Sequence, residues 1–378
     1  MWGLRSSLPS QISHKPLHLE ESAGNSSRSR QNRPKDQRSY SISRPISPAL
    51  MNSSRLSRPN ILPHLTPTMR GIPLAASRTM SSHTNGHSKE LSQLAARIPK
   101  GTWDTHMHVV DPTAFPLSKD AQYKASPHTM QDATAFLHPL GIRKMVIVQP
   151  SIYGNNNSCT LDGLERLGPE NGRAVIQFDP ATTTSTQLQK WHALGARGVR
   201  LNFKSVGAQL NSEFLSKTLH AYADAIRHLD WVLELYIPLE DVPLLEPIVS
   251  ELGNVRICID HFGHPSPSSL SSAKTAFDVP GFTALTRLLQ AGHTWVKVSG
   301  SYRLDMDPRH PVVESLCRET LRLRADRCVF ATDWPHTRFD GLDVKPYLEA
   351  MLDWIEAEGT PLEKVLVHNA EELFNARW

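Results

Sequence analysis

Two histidines one residue apart, His106 and His108, close the short run Thr102-Trp103-Asp104-Thr105-His106-Met107-His108-Val109-Val110. On an extended strand alternate side chains share a face, so both imidazoles point the same way with Asp104 behind them. Paired imidazoles can bind a metal, orient a substrate or stabilise developing charge. The same spacing also suits two hydrogen-bonded histidines at a strand end, and the motif alone does not decide between these roles. The other apolar runs of the chain also end in polar or ionisable residues.

Those runs are Trp103–His108, Lys144–Gln149, Ala174–Phe178, Ala196–Asn202, Trp231–Ile237, Val255–Asp260, Trp295–Val298 and Cys328–Thr332. Between them lie stretches with helical periodicity, among them Met130–Leu140, Thr186–Leu194, Glu213–Leu229, Leu239–Leu252 and Phe282–Ala291. Three of these are closed by a glycine, at Gly141, Gly195 and Gly292. Short near-continuous apolar strands alternating with helices predict an α/β protein with a parallel, helix-covered sheet. Eight such units in about 280 residues predict a (β/α)8 TIM barrel. An open doubly wound sheet is the alternative, but no glycine-rich phosphate-binding pattern follows the first strand. In a barrel the site gathers at the C-terminal strand ends. Those ends offer His106 and His108; Gln149, Ser151 and Tyr153; Gln177 and Asp179; Arg200 and Asn202; Glu234 and Tyr236; Asp260, His261 and His264; Ser299 and Arg303; Asp333 and His336.

The 378 residues carry a formal net charge of +4, but residues 1–90 hold 13 basic against four acidic residues and the remainder is net negative, at −5. The expected domain division is therefore 1–95, a disordered Arg/Ser/Pro-rich tail, and 96–378, the barrel. The tail also admits reading as a mitochondrial presequence, as a basic interaction arm, or as sequence ahead of a start at Met80; otherwise the expected location is cytoplasmic. The acidic main domain implies no nucleic-acid partner. No stretch has the length of a transmembrane helix, so no membrane partner is expected, and the oligomeric state is open. The four scattered cysteines, Cys159, Cys258, Cys317 and Cys328, fit reduced thiols rather than a disulfide framework or a cysteine metal site.

Several motifs in order resemble the amidohydrolase superfamily: Asp104-Thr105-His106-Met107-His108, Arg197-Gly198-Val199-Arg200, Ile259-Asp260-His261-Phe262-Gly263-His264-Pro265, Lys297-Val298-Ser299-Gly300 and Thr332-Asp333-Trp334-Pro335-His336. The resemblance runs from about residue 98 to the closing Asn369–Phe374 helix and points to the branch of pyrone-dicarboxylate hydrolases and sugar lactonases. It implies Asp333 as the general base that activates water, with His106, His108 and His261 around the scissile carbonyl. It implies Arg200 and Arg303 as a clamp for a substrate carboxylate, and Ser151, Tyr123 and Tyr236 as hydrogen-bond donors to the same small-molecule ligand. For Arg200 an ion pair inside the barrel is the competing role, and for Tyr236 a core aromatic.

The fourth strand ends in Arg200 and Asn202 and the fifth in Glu234 and Tyr236, where binuclear members of the superfamily need a bridging ligand and a histidine. A two-metal site is therefore not expected, because an arginine beside a dication is electrostatically costly. The expectation is hydrolysis without a required cofactor, or else with one Zn²⁺ held by His106, His108, His261 and Asp333. After Arg200 only Lys204 could replace a further basic residue of the pyrone-dicarboxylate hydrolases, which leaves a monocarboxylate or a neutral lactone equally open. The expected function is thus a hydrolase opening a lactone or related cyclic ester. A metal-dependent decarboxylase of the same superfamily and a non-catalytic carboxylate-binding barrel are the alternatives.

Overall fold

Each of the eight apolar runs folds as a strand in the computed structural model, which describes residues 90–376. The strands are β1 (Trp103–Met107), β2 (Lys144–Val148), β3 (Gly172–Ile176), β4 (Ala196–Asn202), β5 (Val232–Tyr236), β6 (Arg256–Ile259), β7 (Thr294–Val298) and β8 (Cys328–Phe330). They pair in parallel in chain order, β1 to β8, with helical segments between them. The architecture is a (β/α)8 barrel.

Strand alternation divides the apolar residues into two sets. Trp103, Val146, Val175, Val232, Cys258, Trp295 and Val329 pack inside the ring, plugged at its base by Leu373 and Phe374 of the C-terminal segment. Met145, Ile147, Val199, Leu233, Ile257 and Val296 belong to the larger cluster between the sheet and its helices. Two register shifts alter this pattern, one between β3 and β4 at Ala174/Val175 and one between β1 and β2. β1 slips against β2 between Asp104 and Met107, so Trp103 joins the inner set and Met107, four residues on, the outer one.

β8 and β1 share no ladder; side chains and strand-end backbone complete the ring. The buried Asp104 carboxylate accepts from Thr332 N at 3.0 Å, Thr332 Oγ1 at 2.5 Å and His106 N at 3.1 Å. Thr105 Oγ1 donates to Phe330 O at 2.8 Å, Asp333 N to His106 O at 3.0 Å, and His108 N to Trp334 O at 2.9 Å. The seam thus joins the first histidines to the last aspartate.

Three expectations need correction. Residues 90–97 are helical and bury Leu94, so the tail cannot extend to 95; Leu91, Leu94 and Ile98 supply a short apolar stripe that the polar sequence before them hides. The tail readings themselves concern residues outside those described. The expected helix Leu239–Leu252 is a 3₁₀ turn, Leu239–Leu245, followed by the short α-helix Glu246–Val249, because Pro243 and Pro247 cannot donate the hydrogen bonds a continuous helix needs. Met130–Leu140 tightens to a 3₁₀ turn after Leu137, with Pro139 in it and Gly141 left-handed at φ 80°. All four cysteines are buried and free, and no described helix is long and apolar enough to cross a membrane.

Asp104→Ala should destabilise the protein by roughly 2–4 kcal/mol, because it strands buried Thr332 and His106 donors. A lowered midpoint in urea unfolding at unchanged slope tests this; an unchanged midpoint would mean that the seam is held elsewhere.

Candidate active site

Above the apolar plug the barrel interior becomes ionic. Lys297, from the middle of β7, is fully buried, and its ammonium reaches Glu234 Oε2 at 2.5 Å, His106 Nδ1 at 2.9 Å and Asp260 Oδ1 at 3.3 Å. Burial opposes its charge, but Glu234 and Asp260 outweigh burial and raise the Lys297 pKa. Burial would likewise push Asp260 up, yet Lys297, His106 and Arg200 hold it well below the usual carboxylate range. Glu234, with burial and Asp260 against it and Lys297 for it, is pushed up to about 8. Arg200 completes the cluster at 3.3 Å from Asp260 Oδ2 and 3.8 Å from Glu234 Oε1.

This cluster sets the state of the histidines. An ammonium only donates, so His106 Nδ1 accepts from Lys297 and the single proton of the neutral ring sits on Nε2. His108 Nδ1 lies 2.7 Å from Val148 O, which only accepts, so His108 carries its proton on Nδ1 and leaves Nε2 free. The two Nε2 atoms meet at 3.3 Å, with His106 as donor. Both rings are neutral: burial lowers His108 to about 3, and burial with Lys297 lowers His106 well below the usual histidine range. His261 contacts Ser299 Oγ through Nδ1 at 2.8 Å, and burial lowers it to about 4.

Asp333 follows β8 with a left-handed backbone, φ 62°, that turns its carboxylate over the barrel mouth. Its two oxygens have separate neighbours. Oδ2 accepts from Arg303 Nε and from Tyr302 OH, the latter at 2.7 Å. Oδ1 is buried without a hydrogen-bond partner among the described residues, 3.7 Å from His261 Nε2 and 4.0 Å from His106 Nε2. Burial would raise its pKa, but Arg303, then His261 and His106, hold Asp333 well below the usual range, so it is ionised at neutral pH. Gly300 allows this crowding, since a Cβ there would lie 2.8 Å from His261 Nδ1 and 3.1 Å from Asp333 Oδ2.

A cleft of about 500 Å3, counted out to bulk solvent, opens over these groups. Its walls include His108, His261 and Asp333 together with Arg200, Arg303, Ser151, Tyr123 and Tyr236, so the structure brings the expected substrate-side residues to one mouth. His106 lies just beneath, fully buried. Both arginines carry buried partners: Arg200 pairs with Asp260 and stacks on Tyr236, its centre 5.4 Å from the ring, and Arg303 holds Asp333. Tyr236 is a cavity residue whose hydroxyl meets His264 Nδ1 at 2.7 Å. Of the remaining strand-end candidates, Asn202 also lines the cleft, and several others serve the scaffold. Gln149 ties down Gly154, Asn156 and Thr160, Tyr153 OH accepts from Asp111 N, and Asp179 caps its own loop. His336 packs between Phe136 and Tyr302. Sequence reading gave no role to Lys297, Tyr302, Ser205 or Arg338. Ser205 and Arg338 line the cleft, and Ser205 Oγ is buried without a partner among the described residues.

The ligand atoms of His106, His108 and Asp333 lie within 4.8 Å of one another, as do those of His106, Asp260 and His261. The four expected zinc ligands are therefore divided between two groups sharing His106. A metal-bound imidazole normally donates its other N–H to a carboxylate or carbonyl. His106 Nδ1 already lies 3.3 Å from Asp260 Oδ1 and 3.5 Å from Glu234 Oε1, so its other tautomer would supply that donor without a turn of the ring.

Residues 103–376 match the family described as Amidohydrolase. The 4-sulfomuconolactone hydrolase of Hydrogenophaga intermedia is 29% identical over 76% of this chain and 93% of its own. The 2-pyrone-4,6-dicarboxylate hydrolase of Comamonas testosteroni is 25% identical over 74% of this chain and 91% of its own. Among solved structures, a probable 2-pyrone-4,6-dicarboxylic acid hydrolase from Acinetobacter baumannii with citric acid bound superposes with a TM-score of 0.60 at 26% identity, covering 73% of this chain and 99% of that one. With the eight-stranded barrel and the family match over its whole length, the chain belongs to the amidohydrolase family and is a hydrolase of that superfamily.

Proposed function

We propose that the protein hydrolyses a lactone carrying an acidic substituent, with water activated by Asp333 and no required metal. The observation that carries this reading is the unpartnered, buried Asp333 Oδ1 facing neutral His106 and His261. Both named relatives act on such lactones, which supports the substrate class. In this reading a water between Asp333 Oδ1 and His261 loses its proton to Oδ1 as its oxygen adds to the lactone carbonyl. The developing oxyanion takes over the Nε2–H of His106 that His108 Nε2 otherwise accepts, a donor oriented by Lys297. Collapse breaks the ring C–O bond, and the proton on Asp333 passes to the leaving oxygen, giving a hydroxy acid.

The depressed Asp333 pKa makes it a weak base, so more of the acceleration falls on the oxyanion donors and on a substrate whose leaving oxygen is already acidic. His106, His108 and Asp333 would hold a single divalent ion in the second reading, favoured by the closeness of their ligand atoms. Such an ion would polarise the carbonyl as a Lewis acid.

Asp333→Asn should lower kcat about a thousandfold with little change in KM. On a panel of carboxylated and sulfonated lactones, wild-type activity should survive exhaustive chelation. Loss of activity on chelation with recovery on zinc addition assigns the second reading, and carbon dioxide release from a substrate carboxylate would replace lactone opening altogether. The pH profile follows from protonation states. Asp333 is ionised through and below the usual carboxylate range, and His108 and His261 must stay neutral with pKa values near 3 and 4. Hence kcat/KM should be flat on the acid side from about pH 8 to about pH 5, falling only as the histidines take up protons. A limb with a midpoint near 6.5 would contradict this assignment.

A further inference from the structure

Arg200 and Arg303 line the cleft, but neither offers an unpaired charge to a ligand. Arg200 pairs with Asp260 and lies near Glu234, and Arg303 holds Asp333 and also donates to Thr337 O at 3.3 Å. Arg338 differs. It lines the same cleft, is exposed, and has no carboxylate within ion-pair distance among the described residues. Its guanidinium instead rests on the face of Tyr123, 4.7 Å from the ring centre, another residue of the cleft wall. Stacking of this kind orients a guanidinium and leaves its N–H edge free for an oxyanion.

The backbone places Arg338 with equal definition. It lies five residues beyond Asp333 in a run of turns in which His336 N donates to Asp333 O at 3.0 Å, Phe339 N to His336 O at 2.9 Å and Leu342 N to Phe339 O at 3.1 Å. Its own φ is +72°, a conformation unfavourable for a residue with a Cβ. Non-glycine strain of this kind persists where the surroundings hold it, often at ligand clamps. We infer that Arg338, stacked on Tyr123, receives an acidic substituent of the substrate in addition to any contact from Arg200 and Arg303, and sets the preference for anionic over neutral lactones. The inference rests on the lactone reading for its substrate, but the anion site can be tested without turnover.

Arg338→Gln and Tyr123→Ala would be compared with wild type on a carboxylated, a sulfonated and a neutral lactone of the same ring. The ratio of kcat/KM for anionic to neutral substrate should fall about tenfold or more in Arg338→Gln, chiefly through KM, in line with loss of one charge-assisted pair. Arg338→Lys should recover part of that ratio, and Tyr123→Ala should show an intermediate loss. The carboxylate and sulfonate arms distinguish which oxyanion is preferred. Calorimetry with pyridine-2,4-dicarboxylate, an unreactive probe, gives the independent readout, with affinity expected to drop by a similar factor in Arg338→Gln. If the probe binds and weakens as expected but no lactone is opened, the anion site stands and the hydrolase reading fails. A ratio unchanged in Arg338→Gln, or a probe bound equally by variant and wild type or by neither, overturns the inference.

Discussion

A lysine ammonium sealed inside an eight-stranded barrel has to be matched by charge, and most of the site follows from that constraint. Lys297 is out of reach of water, so leaving it alone would cost several kcal/mol. Glu234 and Asp260 are the carboxylates that meet it, and Arg200 balances the second of them. What remains of the lysine's hydrogen-bonding capacity is directed at one imidazole nitrogen. Through that contact an otherwise structural cation fixes which edge of His106 carries a proton, and His108, bonded to a main-chain carbonyl, takes the complementary form.

The far side of the mouth obeys a similar division of labour. Arg303 and Tyr302 occupy one oxygen of Asp333, which orients the carboxylate and leaves the other oxygen to the histidines. The chain reaches this geometry through backbone conformations that residues other than glycine adopt reluctantly. His261, Phe262, His264, Asp333 and His336 all have positive φ. Each costs about 1 kcal/mol, so the tight turns after β6 and β8 are held by packing and hydrogen bonds rather than by local preference.

Much of this was legible in the sequence. The eight apolar runs announced the strands because buried parallel strands need continuous apolar residues, and the polar residues at their ends announced the mouth. His106, His108, His261 and Asp333 could be placed there because each sits just at or past a strand end. Helix Ser158–Leu167 is not among the stretches read from periodicity, although Leu161, Leu164 and Leu167 recur at three-residue spacing beside the small buried Cys159, Thr160 and Gly163. Lys297 was passed over because a lysine inside a strand suggests a solvated face, and only the ring of neighbouring strands reveals the carboxylates waiting for it. Arg338 lies in a loop, where spacing carries no information about what a side chain meets. The arginines that were visible in motifs proved to be engaged with buried acids, a pairing between strands distant in sequence.

The barrel's one interrupted ladder has its own consequence. The histidines stand on one bank of that gap and the aspartate on the other, bridged by Asp104, Thr105 and Thr332. The contacts that close the ring are therefore the same ones that set the distance between the histidines and the aspartate, so a change in one is a change in the other.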